Sequence, residues 1–157
     1  MTQSDKLNDS SLLELLGTVR TIAVVGLSAD PSRDSHRVAE YLQTNGYRII
    51  PVNPSADTIL GEKSYANLAS VPVAVDVVDV FRRSEYTPDI ARQAAAIGAK
   101  VLWLQLGVRN EEAARIAGEA GLTVVQDACM LQEHARLIGR RPFAGRVPEA
   151  LENRPVP

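Results

Sequence analysis

The chain has 157 residues, 45% of them apolar and 23% charged, the size and composition of one ordinary globular domain and too short for two full cores. Its net charge of −2, from 17 basic and 19 acidic residues, lacks the general positive potential on which nonspecific nucleic-acid binding relies, so any anion site must be local. The polar start MTQSDKLNDS has neither the basic opening nor the apolar run of a signal peptide, and nothing later approaches ~18 uninterrupted apolar residues. A single cysteine, Cys129, excludes an internal disulfide framework and a cysteine zinc cluster. The expectation is a cytoplasmic protein with neither a membrane nor a nucleic-acid partner.

Ser11 to Glu14 reads as a capping box, with Leu12, Leu15, Leu16 and Val19 at helical spacing, so the chain opens with a helix inside residues 1–19. From there short runs rich in Val, Ile and Leu alternate with helix-like segments: Thr21 to Val25, Tyr47 to Val52, Val73 to Val80, Val101 to Leu106 and Leu122 to Val125. This βαβ repetition predicts an α/β fold, a Rossmann-like doubly wound parallel sheet of about five strands in three layers. Gly46, Gly98 and Gly121 stand where helices should stop, Thr87-Pro88 and Asn110 where they should start, and Ala113, Ile116, Ala117 and Ala120 form a small inner face. Pro51 falls inside an apolar run, where its missing N–H would break an interior ladder, so the strand is expected to end there and Pro51 to Pro54 to form a turn. The domain is expected to fill 1–138. The Pro/Arg-rich tail, 139–157, is expected to extend over the domain or over a partner subunit, as in a homodimer.

Open parallel sheets bind ligands outside the carboxyl ends of their strands. That nominates the loops Gly26 to Arg37, Pro51 to Asp57, Asp79 to Glu85, Gln105 to Asn110 and Asp127 to Met130. In the first, Gly26 permits a sharp turn before a helix start whose free N–H groups suit a phosphate, and Ser28, Ser35, His36 and Arg37 add donors. A lone glycine followed by Pro31 and Arg33 also describes a plain strand-to-helix turn. After the second strand, where NAD enzymes place an acid for the ribose, this chain has Val52, Asn53 and Pro54, with Asp57 several residues on. A nucleotide carrying an additional phosphate, within reach of Arg33 and Arg37, fits that loop better.

In VDVFRRSEY, Arg82 and Arg83 are either solvated and neutralised by Asp79 and Glu85 or a phosphate-binding pair. Phe81 packs on an adenine or pantetheine arm, or belongs to the core. Gln105 precedes Gly107, which allows either close ligand approach or only a turn. Cys129 is either an exposed thiol at a helix start or a small buried hydrophobe, and Glu133 and His134 beyond it read as structural. The sequence offers no nucleophile with a convincing base, no metal-ligand cluster and no P-loop lysine. The site is expected to hold a ligand and not to react with it.

The stretches VVGLSADPSRDSHRVAEYL, GYRIIPVNP, GEKSYANL, VDVVDVFRRSE and VLWLQLGVRNEEAARIAGEAGLTVVQDACMLQEHARL, in order over nearly all of 20 to 137, resemble the small stand-alone CoA-binding domain proteins of bacteria. These are similar to the CoA-binding domain of the succinyl-CoA synthetase alpha subunit. The resemblance implies coenzyme A or an acyl-CoA as ligand, its 3′-phospho-ADP part lying over Gly26, Ser28, Arg37, Pro51, Asn53 and the Val78 to Arg83 loop. It implies no ligase activity, because the ligase's phosphorylated histidine and nucleotide-binding subunit lie outside this domain. On this reading Arg37, Arg82 and Arg83 neutralise phosphate, Gly26 and Ser28 donate, and Val38, Val52, Val78 and Phe81 meet apolar parts of the ligand. Ser35, His36, Pro54, Gln105 and Gly107 complete the candidate site. The alternatives are an NAD(P)-binding redox enzyme or sensor, and thiol or disulfide exchange with CoA through Cys129.

Overall fold

The apolar runs form strands and the segments between them form helices in a computed structural model, which describes residues 7–139. Helix α1 (Asp9–Thr18) leads into strand β1 (Thr21–Val25), helix α2 (Asp34–Thr44) and strand β2 (Arg48–Val52). A short hairpin follows, β3 (Thr58–Ile59) and β4 (Glu62–Lys63). Then come β5 (Val77–Val80), α3 (Thr87–Ala96), β6 (Val101–Leu104), α4 (Glu111–Glu119), β7 (Thr123–Val125) and α5 (Met130–Leu137). Five strands pair in the order β2-β1-β5-β6-β7, every neighbouring pair parallel. The chain leaves β1 for β2 on one side and returns to β5 on the other, which puts the switch point of the doubly wound sheet between β1 and β5.

Alternation along the strands sends side chains to two cores. Ile22, Val24, Val77, Val101, Trp103 and Val125 meet α1, α2 and α5 on one face, while Ala23, Val25, Val78, Val80, Leu102 and Leu104 meet α3 and α4 on the other. Trp103 is wholly buried, and its indole N–H donates to the carbonyl of Ala128 at 2.8 Å, so its burial leaves no donor unpaired.

Several local expectations change. The cap of α1 is Asn8, whose side chain accepts from the Ser11 N–H; Ser11 lies inside the helix and is not its cap. Strand β2 runs through Pro51 to Val52, in register with Val24 and Val25. Pro51 is tolerated because β2 is an edge strand. The Val52 carbonyl turns inward to Gly26 N–H, while that of Pro51 turns outward to Tyr65 N–H. The missing N–H therefore falls on the side where β1 asks for nothing. Strand β5 begins only at Val77, because the preceding Asp76 turns its carboxylate onto the N–H groups of Arg20 and Thr21. Strand β6 ends at Leu104, two residues early. On α4 the buried small residues are Ala113, Ala114 and Ala117, whereas Ala120 is exposed. The hairpin β3–β4, turning at Leu60-Gly61, was hidden in what the sequence offers as loop.

Helix α3 begins at Thr87-Pro88 as expected, and the side chain of Asn110 caps α4 by accepting from Ala113 N–H. The tail expected over 139–157 lies, beyond Gly139, outside the described residues. Among the described residues no helix is long and apolar enough to cross a membrane.

Candidate ligand cleft at the switch point

The end of β1 is shaped by one residue that has no substitute. Gly26 has φ +88°, and a Cβ built on it would stand 2.6 Å from the Phe81 carbonyl oxygen and 3.1 Å from Arg82 Cδ. Only glycine lets the chain turn there against the strand next door. Beyond it Leu27 plunges into the core, and Ser28 N–H donates to Ser35 Oγ at 3.0 Å. Ser28 Oγ in turn accepts from Asp30 N–H. Each serine hydroxyl is thereby used as an acceptor and keeps its own O–H to give away.

Helix α2 starts at Asp34 with Arg33 at the N-cap, and no side chain caps it. The N–H groups of His36 and Arg37 fold back to the Arg33 carbonyl, which leaves the first N–H groups of the helix for solvent or an anion. Gly26, Ser28, Ser32, Arg33, Asp34, Ser35 and Phe81 line a polar cleft of about 370 Å³ at this point. Ser32 and Asp34 belong to that lining without having been singled out by sequence. Their signal was SRDS, four polar residues ahead of an apolar helix face.

The candidate cations differ in what already holds them. Arg37 is tied to the Asp34 carboxylate one turn back. The guanidinium of Arg82 lies over the Tyr86 ring, 4.5 Å from its centroid, so that the side chain crosses beside Gly26. Neither Arg33 nor Arg83 forms an ion pair among the described residues. Arg33 is therefore the exposed cation that lines the cleft outside any ion pair, although, behind the hydrogen bonds from Ser32, its charge helps to lower the Asp30 carboxyl.

The remaining candidates are dispersed. Asn53 faces inward as a clamp: its Nδ2 donates to the Leu27 carbonyl at 2.9 Å and its Oδ1 accepts from Ser55 N–H. Pro54 is exposed beside it. Val38, Val52 and Val78 are taken up by the two cores, and Pro51 is buried in β2, so these four present little surface to a ligand. Gly107 donates its N–H to Asp127 Oδ1, which makes it part of a turn. His36 is buried, with Nδ1 lacking a partner.

Below the cleft lies a group that sequence treated only as a counterion. Asp79, wholly buried on β5, accepts from Gln105 Nε2 at 2.6 Å through Oδ1, while Oδ2 has no partner. Burial pushes its carboxyl up to about 7, against the pull of the Gln105 hydrogen bond. Gln105, nearly as buried, thus serves Asp79 and not the rim, and Asp79 does not reach Arg82 or Arg83 as a counterion.

Cys129 is buried at the start of α5. Desolvation raises its thiol, with Asp79 and Asp34 adding to the effect, which moves it away from the thiolate that exchange chemistry needs. His134 donates nothing to the rim either. It sits between the rings of Tyr41 and Tyr47, with Nδ1 3.0 Å from the Tyr41 hydroxyl, and burial lowers it to about 4. Glu133 binds Arg136. Both side chains are thus engaged within the fold. Among the described residues no group of His, Cys, Asp or Glu could hold a metal ion.

A parallel sheet with a polar cleft at its switch point, floored by a tight glycine and an uncapped helix start, defines a Rossmann-like ligand-binding domain. The comparisons narrow the class. Residues 20–135 match the model of the CoA binding domain family, and the chain belongs to that family. It is 44% identical over 126 residues to the protein YneT of Bacillus subtilis, covering 80% of this chain and 93% of YneT. It is 30% identical over 83 residues to an ADP-forming acetate–CoA ligase II of Archaeoglobus fulgidus, 52% of this chain but 12% of the ligase.

Among solved structures, a protein of Pyrococcus horikoshii OT3 superposes with a TM-score of 0.84 at 40% identity, over 88% of this chain and 100% of that one. The dinucleotide-forming acetyl-coenzyme A synthetase 1 of Ca. Korarchaeum cryptofilum superposes with a TM-score of 0.64 at 28% identity, over 73% of this chain and 28% of the synthetase.

Proposed function

We propose that the protein binds coenzyme A, or an acyl-CoA, through its 3′-phospho-ADP part, and that it acts as a binding protein. The observation that carries this reading is the uncapped start of α2 opening on a cleft beside Gly26. A diphosphate placed there would take the free N–H groups and the serine hydroxyls, while Arg33 and Arg82 would neutralise its charge. Membership of the CoA binding domain family supports the choice of ligand. The place of Asn53, where an NAD enzyme would put an acid, supports a ligand with phosphate in preference to a free ribose diol. CoA would supply the chemistry of its thiol. The residues lining the cleft would fix and orient its nucleotide end.

Calorimetric titration with CoA, dephospho-CoA, NAD and NADP at one salt concentration tests the reading. CoA should bind most tightly and lose affinity without its 3′-phosphate. A preference for NAD or NADP would give the fold a redox role instead.

A further inference from the structure

Phe81, the residue after β5, lines the cleft, and Asp79 stands two residues before it, about 7 Å along an extended chain. Val24 and Trp103 are its neighbours in the sheet, both apolar and wholly buried. Its carboxyl has one hydrogen-bond donor, Gln105, and an orphaned Oδ2. A buried acid this poorly satisfied, set behind a site for an anion, is the wrong group to leave charged when the anion arrives.

We propose that Asp79 makes ligand binding proton-linked: the cleft takes up a proton at Asp79 when a diphosphate ligand binds, and releases it when the ligand leaves. The inference rests on the CoA reading above and adds its regulation. The free carboxyl already titrates near neutrality, because burial raises it to about 7, so a nearby anion shifts a group that is poised to respond.

The elements packed on this face carry the other charged or titratable groups. Helix α1 brings Asp9 and Glu14, the start of α2 Arg33, Asp34, His36 and Arg37, and its later turns Glu40 and Tyr41; burial pushes Tyr41 and the neighbouring Tyr47 up to about 12. Helix α5 brings Cys129, Glu133, His134 and Arg136, and the segment after β5 brings Arg82. Cys129 feels Asp79 but is held protonated by its own burial. His134 is held neutral down to about 4, and Glu133 and Arg136 pair with one another. Arg37 is engaged by Asp34. Of these groups, Asp79 combines complete burial with a carboxyl that changes charge near pH 7.

The test is calorimetry of CoA binding between pH 6 and pH 8.5, in pairs of buffers with different ionisation enthalpies, for the wild type and Asp79→Asn. A unit charge about 10 Å from an anion in a medium of effective dielectric about 20 changes affinity by roughly tenfold or more. Relative to Asp79→Asn, the wild-type affinity should therefore fall by about that factor as pH rises, with additional proton uptake near pH 7 that the variant lacks.

The 3′-phosphate of CoA titrates near pH 6 itself, so dephospho-CoA serves as a second probe. Proton uptake by the wild type on binding dephospho-CoA reports on the protein and not on the ligand, and its persistence in His36→Gln assigns it to Asp79 even where Asp79→Asn does not fold. Identical pH profiles and uptake in both proteins, or no uptake with dephospho-CoA, would overturn the linkage while leaving CoA binding intact. Absence of CoA binding at every pH would overturn the CoA reading and the linkage with it.

Discussion

Replacing Asp79 by asparagine keeps the shape of the side chain and an oxygen for Gln105, and removes the group's ability to ionise. Raising the carboxyl from 3.8 to about 7 corresponds to about 4 kcal/mol of folding stability lost once the group is fully charged, at about 1.4 kcal/mol for each tenfold. The sign follows from proton binding. Between those values the folded chain holds the proton and the unfolded chain has released it, so stability falls as pH rises.

About 2.5 kcal/mol of the loss falls between pH 5 and pH 8. His134 works the other way. Its burial lowers it from 6.5 to about 4, so the folded chain resists charging it and loses stability as pH drops through that range. The difference between variant and wild type cancels His134 and isolates Asp79. Urea unfolding at pH 5 and pH 8 should show Asp79→Asn gaining, relative to wild type, about 2 to 3 kcal/mol between the two. The unpaired amide N–H₂ left in place of Oδ2 lowers the whole curve by about 1–3 kcal/mol without tilting it. A constant difference across that pH range would refute the assignment of Asp79 as the buried titrating group.

Other residues give sharper outcomes. Gly26→Ala sets a Cβ against the Phe81 carbonyl at 2.6 Å with φ +88°; it should cost at least about 1–2 kcal/mol in thermal unfolding and abolish CoA binding in titration. Arg33→Ala should weaken CoA more than Arg37→Ala in the same titration, because Arg37 is already held by Asp34; the reverse order would move the phosphate along the helix. Should Arg37 reach the 3′-phosphate, Arg37→Ala would weaken CoA more than dephospho-CoA. Trp103→Ala opens a cavity at a wholly buried site and leaves the Ala128 carbonyl without its donor. It should cost about 3–5 kcal/mol by circular dichroism in urea.

The fold was legible because its signal is repetitive. Short Val- and Ile-rich runs spaced by one βα unit leave few arrangements other than a parallel sheet, and β1 emerged with the expected ends. What escaped depended on neighbours distant in sequence. Pro51 reads as a strand breaker until β2 is known to be an edge, and no local pattern reveals sheet order. The hairpin at 58–63 is two residues a side, too short for alternation to show.

In the cleft, Gly26, Ser28 and Phe81 are readable from their position after strands and Ser35 from its place at the start of a helix, and the structure brings them together. Val38 and Val78 were assigned to the ligand from the resemblance, yet their direction is fixed by packing on the cores. Asp79 was visible in the sequence beside two arginines, and only the strand's inward turn at that residue separates it from them and hands it to Gln105.

The clamp made by Asn53 bears on how readily this cleft could change ligand. Related folds that hold a ribose diol do so with a carboxylate near this place in the chain, one atom's exchange away from asparagine. Here that exchange would carry a structural penalty. A carboxylate can only accept, so the hydrogen bond from Asn53 Nδ2 to the Leu27 carbonyl would become a repulsion between two oxygens, directly behind the turn that shapes the cleft. The residue that would welcome a different nucleotide is the one that keeps Leu27 and Gly26 in place. A chain taking up a ribose diol at this place would first need another donor for that carbonyl, so exchanging Asn53 for an acid would not by itself reach that ligand.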